Sequence, residues 1–287
     1  MDDKSKDLLE LLNKGMEDML SSENFLKYLK VASKFSSYSF NNQVLIYLQK
    51  PDATRVAGFK AWNKFGRFVK KGEKGIRIFA PLPITIKEKT KVVDGIETVV
   101  EPEYSFISFR PTYVWDVSQT DGEPLPEICN MLDGRVEDFE TLVTAIKGLT
   151  SASISFTDYD GTSNGFYNVE GHYIVVKDNL SELQKIKTLV HEVTHSVLHC
   201  KDKPPKDRSS KEIEAESVAF IVCNYLGLDT SDYSFGYIAG WGGSIEDWKT
   251  QCEDTKRKES LKTIRDTAAD FISKLESTIT KMKQEVV

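Results

Sequence analysis

The feature that most constrains this chain is the pentapeptide His-Glu-Val-Thr-His at residues 191–195. Its two histidines are four residues apart, so on a helix they lie one turn apart on the same face. Two imidazoles at that spacing can bind one Zn²⁺, and the intervening Glu192 can hold a water molecule and accept its proton. The pattern therefore indicates a helix that carries a catalytic metal site.

The flanking sequence favours such a helix. Ser181, with Gln184 three residues later, is typical of a capping box. Apolar residues then recur at helical spacing, at Leu183, Ile186, Val190, Val193 and Val197. Upstream, Gly165 and Gly171 mark turns and residues 172–176 form a β-rich run. A strand or hairpin before the metal-binding helix is the arrangement of zincin metallopeptidases, in which a sheet edge can pair with an extended substrate.

A catalytic zinc needs a third protein ligand and an open coordination position. The candidates lie about twenty residues further on, in the helical segment SSKEIEAESVAFIVCNYLG. Glu212 and Glu216 are four residues apart and share a helical face. We expect Glu212 to be the ligand and Glu216 to orient a ligating histidine; the reverse assignment and a merely charged helix face both stay open. Glu214 points elsewhere, and we expect it in solvent.

Other side chains near this motif have supporting roles. His199 continues the row of His191 and His195 and is expected to lie behind the ligands or to pack. An acyl-transfer reaction also needs a hydrogen-bond donor for its oxyanion. The candidates are Tyr225, Tyr233 and Tyr237, and we favour Tyr237 because it lies in a glycine-flanked loop.

Composition narrows the class of protein. There is no apolar run near eighteen residues, which argues against a membrane span, and the acidic N-terminus has no signal-peptide layout. The four cysteines are widely spaced and include no CxxC pair. This usage fits a reducing cytoplasm and argues against a disulfide scaffold or a thiolate zinc cluster.

Charge is distributed unevenly along the chain. The net charge is −6, yet residues 50–91 contain twelve Lys and Arg against three acids. Aromatic side chains alternate with these cations, a combination that binds single-stranded nucleic acid through phosphates and base faces. We expect stacking by Phe59, Trp62 and Phe68, and phosphate neutralisation by Arg67, Lys70, Lys71, Lys74 and Arg77. The alternative is that the aromatics form a core and the lysines a solvated surface.

The coarse layout predicts an α+β protein of two domains. Residues 1–125 form a mixed α/β domain: helices over residues 5–33, a loop into a helix over residues 35–50, and strands at residues 76–80, 84–112 and 113–117 with a hairpin turn at Asp94-Gly95. Residues 119–126 are predicted to be a linker. Residues 126–287 form a zincin-like domain that starts with a helix over residues 136–148 and ends in a long helix over about 258–284.

The N-terminal segment resembles the ArdC-type antirestriction proteins and the LtrC-like proteins of conjugative elements. The matching motifs are Ser39-Phe40-Asn41-Asn42, Leu45-Ile46, Gln49, Pro51, Gly58-Phe59, Trp62, Gly66-Arg67, Lys71-Gly72-Glu73-Lys74-Gly75, Ala80-Pro81 and Trp115-Asp116-Val117-Ser118-Gln119-Thr120. The second half is similar to the metallopeptidase domain of the same proteins, and its Glu212-Ile-Glu-Ala-Glu stretch resembles the acid pattern in which the first acid is the ligand.

The resemblance implies a zinc-dependent peptidase joined to a domain that binds single-stranded DNA, acting on incoming DNA of a mobile element. Its partners would be single-stranded DNA and a protein or peptide substrate. Two alternatives stay open. One is a DNA-coating protein whose zinc site is structural, and the other is a regulatory peptidase that cleaves a repressor.

Overall fold

The structure is a computed structural model that describes residues 3–19, 22–87, 89–93, 96–101, 104–125, 139–228, 230 and 254–285. It confirms the predicted α+β class. Three helices begin the chain, namely α1 (Asp3–Met19), α2 (Ser22–Lys34) and α3 (Phe40–Gln49). Their apolar faces are buried together, which is the arrangement that the amphipathic pattern of residues 5–33 predicts.

A long antiparallel ribbon follows the helices. The strands of this half are β1 (Val56–Ala57), β2 (Arg67–Val69), β3 (Ile76–Ile86), β4 (Lys89–Val93), β5 (Ile96–Glu101), β6 (Tyr104–Asp116) and β7 (Thr120–Gly122), with a short helix α4 (Phe59–Lys64). Strand β3 pairs with β6 from Ile76↔Val114 to Ile86↔Tyr104. The sequence placed the end of β3 at Ala80, but the strand continues through two prolines. The predicted turn at Asp94-Gly95 lies outside the described residues, and β4 and β5 on either side of it pair antiparallel.

Two side-chain amides of α3 cover the outer edge of β3. Asn42 donates to the carbonyl of Phe79 and accepts from its N–H, both at 2.9 Å. Gln49 makes the same pair of bonds with the backbone of Arg77, at 2.8 and 2.9 Å. A primary amide can replace a neighbouring strand in this way because it carries a donor and an acceptor side by side. These contacts give Asn42 and Gln49 a structural reason to be amides.

The predicted linker over residues 119–126 is wrong for its first part. Thr120–Gly122 forms β7, which pairs antiparallel with β2. A short 3₁₀ turn at Val117–Gln119 leads into it and is capped by Asp116, whose side chain accepts from the N–H of Ser118. The same carboxylate accepts from the N–H groups of Thr54 and Arg55 and so joins β1 to this turn.

The second half places the HExxH segment between a small sheet and two helices. Its elements are α5 (Phe139–Lys147), β8 (Ser153–Phe156), β9 (Gly165–Asn168), β10 (Tyr173–Val176), α6 (Glu182–Leu198), α7 (Arg208–Tyr225) and α8 (Asp254–Glu285). The strand order is β8-β10-β9, with β8 parallel and β9 antiparallel to β10. Helix α6 therefore lies beside β9, the strand at the edge of this sheet.

The two halves share one hydrophobic core. Buried residues of α2, α3, α6, α7 and α8 belong to a single cluster. Polar contacts reinforce it, since Ser33 of α2 bonds with Asn224 of α7 and Arg265 of α8 donates to the carbonyl of Tyr38. The predicted division at residue 125 stays a prediction, because residues 126–138 lie outside the described part of the chain. No helix among the described residues is long and apolar enough to cross a membrane.

Candidate metal centre

Helix α6 begins and packs as its sequence predicts. The Ser181 side chain accepts from the backbone N–H of Gln184, as in the predicted capping box. Ile186, Val190 and Val193 are fully buried. Close approach of β9 to this helix requires Gly165, because a Cβ there would lie 2.6 Å from Thr188 and 3.3 Å from the Cγ atom of Glu192. The edge strand is thus held directly against the HExxH face.

Three side chains converge at that face. The Nε2 atoms of His191 and His195 are 3.1 Å apart, and Glu212 oxygens lie 3.5 and 3.7 Å from them. Ligands that surround an ion tetrahedrally at about 2.0–2.1 Å are separated by about 3.3 Å from one another. The donor set of two imidazoles and one carboxylate, at these separations, fits a divalent cation of the zinc type.

Glu216 lies behind the first histidine. Its carboxylate is 3.2 Å from Nδ1 of His191 and 2.6 Å from Nζ of Lys187. In a metal-bound site the Nδ1–H group of His191 would donate to this carboxylate, and the lone pair of Nε2 would face the ion between Glu212 and His195. Such a carboxylate–histidine contact fixes ring orientation in metal sites. Glu216 thus lies where an orienting carboxylate would lie and Glu212 where a ligand would lie, and both roles stay predictions.

A second chain of contacts lies behind the other histidine. Nδ1 of His195 is 2.9 Å from Nδ1 of His199, and Nε2 of His199 is 3.0 Å from Glu214. Glu214 has no exposed surface and also accepts from Lys206 and Ser260. The expectation that Glu214 is solvated is therefore wrong. The spacing of three glutamates on one helix could not reveal this, because its partner Ser260 comes from α8, 46 residues away in the chain.

His191, Glu212 and Glu216 influence one another's protonation. Burial works to lower the pKa of His191, but Glu212 and Glu216 raise it to about 10. Burial works to raise the pKa of those two carboxyls, but the histidines and Lys187 hold it well below its usual range. Without a metal, a proton on His191 thus balances these acids. A bound cation would replace that proton, so metal affinity should fall as the pH is lowered.

Glu192 is placed as a base. It is buried, and the backbone N–H of Tyr167 on β9 donates to its carboxylate. Burial raises the pKa of Glu192, although His191 and His195 oppose the shift. A raised pKa suits a group that accepts a proton near neutral pH. The contact with Tyr167 also shows why the hairpin upstream of α6 matters to the site.

The site opens into a cleft of about 920 Å³. Strand β9 forms one wall through Gly165, Phe166 and Tyr167, and the first turn of α7 contributes to the lining opposite the histidines. The favoured oxyanion donor Tyr237, and Tyr233 beside it, lie outside the described residues. The third candidate, Tyr225, donates to Glu276 of α8 and is not among the cleft-lining residues.

The residues of the basic segment that we predicted to contact DNA differ in their exposure to solvent. Phe59 and Phe68 are 50% and 60% exposed, and Lys71 and Lys74 are also exposed. Trp62 is only 2% exposed, and its indole N–H donates to the carbonyl of Trp115. Trp62 is thus a core residue in this structure and is not available for stacking.

The remaining cations that we predicted to contact DNA differ in how far the protein itself binds or buries them. The guanidinium of Arg67 donates to Thr120 and to the carbonyls of Gly122 and Glu123, which ties β2 to β7. Lys70 donates to the carbonyl of Ser118. Arg77 is half-buried on β3, opposite Tyr113. Arg67 therefore has a structural role here, and Lys70 also lies 3.6 Å from the carboxylate of Asp121. Among the described residues, Lys71 and Lys74 form no ion pair and keep their charge available to a ligand.

An aromatic row on β6 was not predicted as part of this surface. The ring of Trp115 is 6.0 Å from that of Phe59 and 6.3 Å from that of Tyr113. Gly75 lies against this row, since a Cβ there would come within 3.0 Å of Trp115 and Tyr113. Alternation along β6 was the available signal, because Tyr113 and Trp115 are two residues apart and share a face.

Comparison with known proteins finds a family model that matches part of each half of the chain. Residues 6–115 match the N-terminal domain of anti-restriction factor ArdC. Residues 145–223 match the IrrE N-terminal-like domain of peptidase family M78. The chain is also 29% identical over 306 residues to an uncharacterized protein of Bacillus anthracis, with 94% of this chain and 49% of that protein aligned. The chain thus spans about half the length of this curated relative.

Two crystal structures of the antirestriction protein ArdC from plasmid R388 are similar to the chain. The metal-free one is 21% identical with a TM-score of 0.51, over 85% of this chain and 86% of that chain. The Mn(II)-bound one is 20% identical with a TM-score of 0.49, over 84% and 85%. At 21% identity, the likeness to the metal-free structure shows a shared fold.

Proposed function

We propose that this ArdC-like chain, in which an ArdC-type N-terminal domain is followed by an IrrE-like domain of a metallopeptidase family, is a zinc-dependent peptidase that binds single-stranded DNA. In the recipient cell of a mobile element it would act in antirestriction, or in protection of incoming DNA. The observation that carries the enzymatic part is the convergence of His191, His195 and Glu212 beside Glu192, in a cleft with an edge strand.

His191, His195 and Glu212 would hold the zinc, with Glu216 and His199 orienting the two imidazoles from behind. Two neutral imidazoles and one carboxylate are a common ligand set of catalytic zinc, which keeps a further position open. When bound, the metal would supply Lewis acidity toward a peptide carbonyl and lower the pKa of water. Every other requirement of hydrolysis falls to the chain itself.

Glu192 would take the proton from the attacking water and deliver it to the leaving amine. Tyr167 N–H holds its carboxylate in position, so the base is oriented before a substrate arrives. Strand β9 is one of the two edge strands of its three-stranded sheet and lines the cleft, so an extended peptide can pair with it and place its carbonyl next to the histidines. Tyr237 stays the predicted oxyanion donor.

Support for DNA binding comes from the surface around β2 and β6. Exposed rings of Phe59 and Phe68 lie in the same segment as the exposed Lys71 and Lys74, and Tyr113 adds a further exposed ring. Aromatic faces with nearby cations bind single strands with little sequence preference. We extend the predicted set by Tyr113 and Trp115 and leave Trp62 out of it as a stacking residue.

Glu192→Gln tests the enzymatic part. The variant keeps side-chain shape and should keep its metal, but we expect it to lose peptide cleavage by at least about a hundredfold, because general base catalysis contributes about that much or more. Glu182→Gln, on the exposed start of the same helix, is the matched control and should cleave normally. Cleavage by the Glu192 variant at the unsubstituted rate would contradict the proposal.

The same variant separates the biological alternatives. If proteolysis is needed, protection of incoming DNA fails in the Glu192→Gln variant. If coating of the strand suffices, protection survives in it. For the DNA part, affinity for a single-stranded oligonucleotide should fall steeply with salt and weaken in Phe59→Ala; a flat salt response would argue against phosphate contacts.

A further inference from the structure

Two cations line the metal cleft without a partner of their own. Arg208 and Lys211 lie on the first turn of α7 and share the cleft wall with Glu212. Within the described part of the chain, neither side chain takes part in a hydrogen bond or ion pair. A cation that faces a substrate cleft and is not neutralised there is available to a ligand.

Neighbouring lysines are arranged differently. Lys187 is paired with Glu216, Lys206 with Glu214, and Lys201 with Glu170, at 2.6, 2.5 and 3.1 Å. Each of these three lysines near the site thus forms an ion pair with an acidic side chain. Arg208 and Lys211 stand apart from that pattern, although acids are close in sequence to both of them.

A polar group between the two cations is also unsatisfied. The hydroxyl oxygen of Ser209 is buried, lines the cleft and has no hydrogen-bond partner among the described residues. A buried hydroxyl without a partner costs free energy, so such groups commonly mark the place of a ligand or water.

The charge of the whole cleft favours an anion. A divalent metal offsets the carboxylates of Glu192 and Glu212, and Arg208 and Lys211 then leave the lining positive. We propose that Arg208, Ser209 and Lys211 form a subsite for an acidic side chain of the peptide substrate. This inference rests on the proposed peptidase function and names the class of substrate that the cleft prefers.

The helix geometry places this subsite along the peptide. Arg208 precedes Glu212 by one turn, which is about 6 Å along the helix axis. A strand rises about 3.3 Å per residue, so in a peptide that runs along α7 the acidic residue would lie about two positions from the scissile bond. An aspartate or glutamate there would accept charge-assisted hydrogen bonds from the arginine fork and from the serine hydroxyl.

Binding to zinc-loaded Glu192→Gln protein tests the subsite without turnover. Two fluorescent pools of random peptides are compared, identical except that each peptide contains one Glu in the first pool and one Gln in the second. We expect the Glu pool to bind about tenfold more tightly, as charge-assisted contacts allow. The double substitution Arg208→Gln and Lys211→Gln should abolish this preference, whereas Lys203→Gln, an exposed lysine of the preceding loop, should keep it.

Equal binding of the two pools, or a preference that survives the double substitution, would overturn the proposal. The proposal would also be overturned if oligo(dT) displaced the Glu pool from the protein that has both cations but not from the double variant. That result would show that the two cations bind phosphate. Circular dichroism shows whether the double variant is folded. If the Glu preference depends on the two cations but the unsubstituted protein cleaves no peptide, the subsite stands and the peptidase proposal fails.

Discussion

The two ring nitrogens of each HExxH histidine have different partners, and this separates the roles of Glu212 and Glu216 on α7. Glu212 faces both Nε2 atoms, whereas Glu216 contacts Nδ1 of His191. The sequence placed both acids on one helical face and favoured Glu212 as the ligand, but it left the reverse assignment open. The ranking depends on the position of α7 relative to α6 along their contact, which a helical repeat does not encode.

Glu212→Gln and Glu216→Gln should therefore differ in metal binding. Replacing the ligand carboxylate should remove stoichiometric zinc, whereas replacing the orienting carboxylate should leave one zinc per chain with about 10–100-fold lower affinity. Elemental analysis and a competition titration with a chelator measure both effects. The opposite order would show that Glu216 is the ligand.

Asp116 shows how an element can depend on one carboxylate. It is almost fully buried and accepts backbone N–H groups from Thr54, Arg55 and Ser118, which fixes β1 to the end of β6. Burial works to raise the pKa of Asp116, but these hydrogen bonds hold it below the usual value. A group of this kind stabilises the fold above its unfolded pKa, and the contribution is lost as the pH falls through the lower folded pKa.

Asp116→Asn should destabilise the protein by about 1–3 kcal/mol at neutral pH, because an amide NH₂ group cannot accept these bonds. Below about pH 4 the carboxyl becomes protonated in the unfolded chain while the folded state still holds it ionised, so the difference in unfolding free energy should shrink until the pH passes the lower folded pKa. Urea titrations at several pH values measure it. A difference that stays constant down to pH 3 would argue against a depressed pKa.

Local elements were predictable where local sequence determines them. The capped start of α6, its buried stripe and the stripe of α8 through Leu261, Ile264 and Leu275 all follow from helical spacing. Strand β7 was missed because Thr120–Gly122 is stabilised by β2, which lies fifty residues earlier. Trp62 was wrongly predicted to be a stacking residue for a related reason, since the acceptor of its indole N–H is on β6. Non-local pairing of this kind leaves no periodic trace in the sequence.

At the scale of the whole molecule, the metal site and the N-terminal helices share structural support. Helix α8 donates from Ser260 to Glu214 behind the site and from Arg265 to the carbonyl of Tyr38 in the N-terminal half. The long charged C-terminal helix, which has no obvious role in the sequence, thus packs against both halves. The continuous core favours cooperative behaviour of the two family domains.

Calorimetry of the metal-loaded chain should accordingly show one unfolding transition. Deletion of residues 1–125 should expose the apolar residues of α7 and α8 that pack on α2 and α3, and we expect the fragment to aggregate or to melt at a lower temperature. Two well-separated transitions, or a fragment as stable as the full chain, would show that the halves are independent. Cleavage of a repressor-like substrate is therefore better tested with point substitutions than with this deletion.

The edge of β3 has a consequence for self-association. Alternate residues of a strand direct their N–H groups to the same side, so Arg77, Phe79, Pro81 and Pro83 form one row. Amides of α3 occupy the first two positions. The next two are prolines, which have no N–H to offer an incoming strand. Although Phe106, Ile107 and Phe109 leave the ribbon exposed and apolar, these four positions offer an incoming strand no free N–H group, which disfavours growth of a fibril or a strand-swapped dimer from this border.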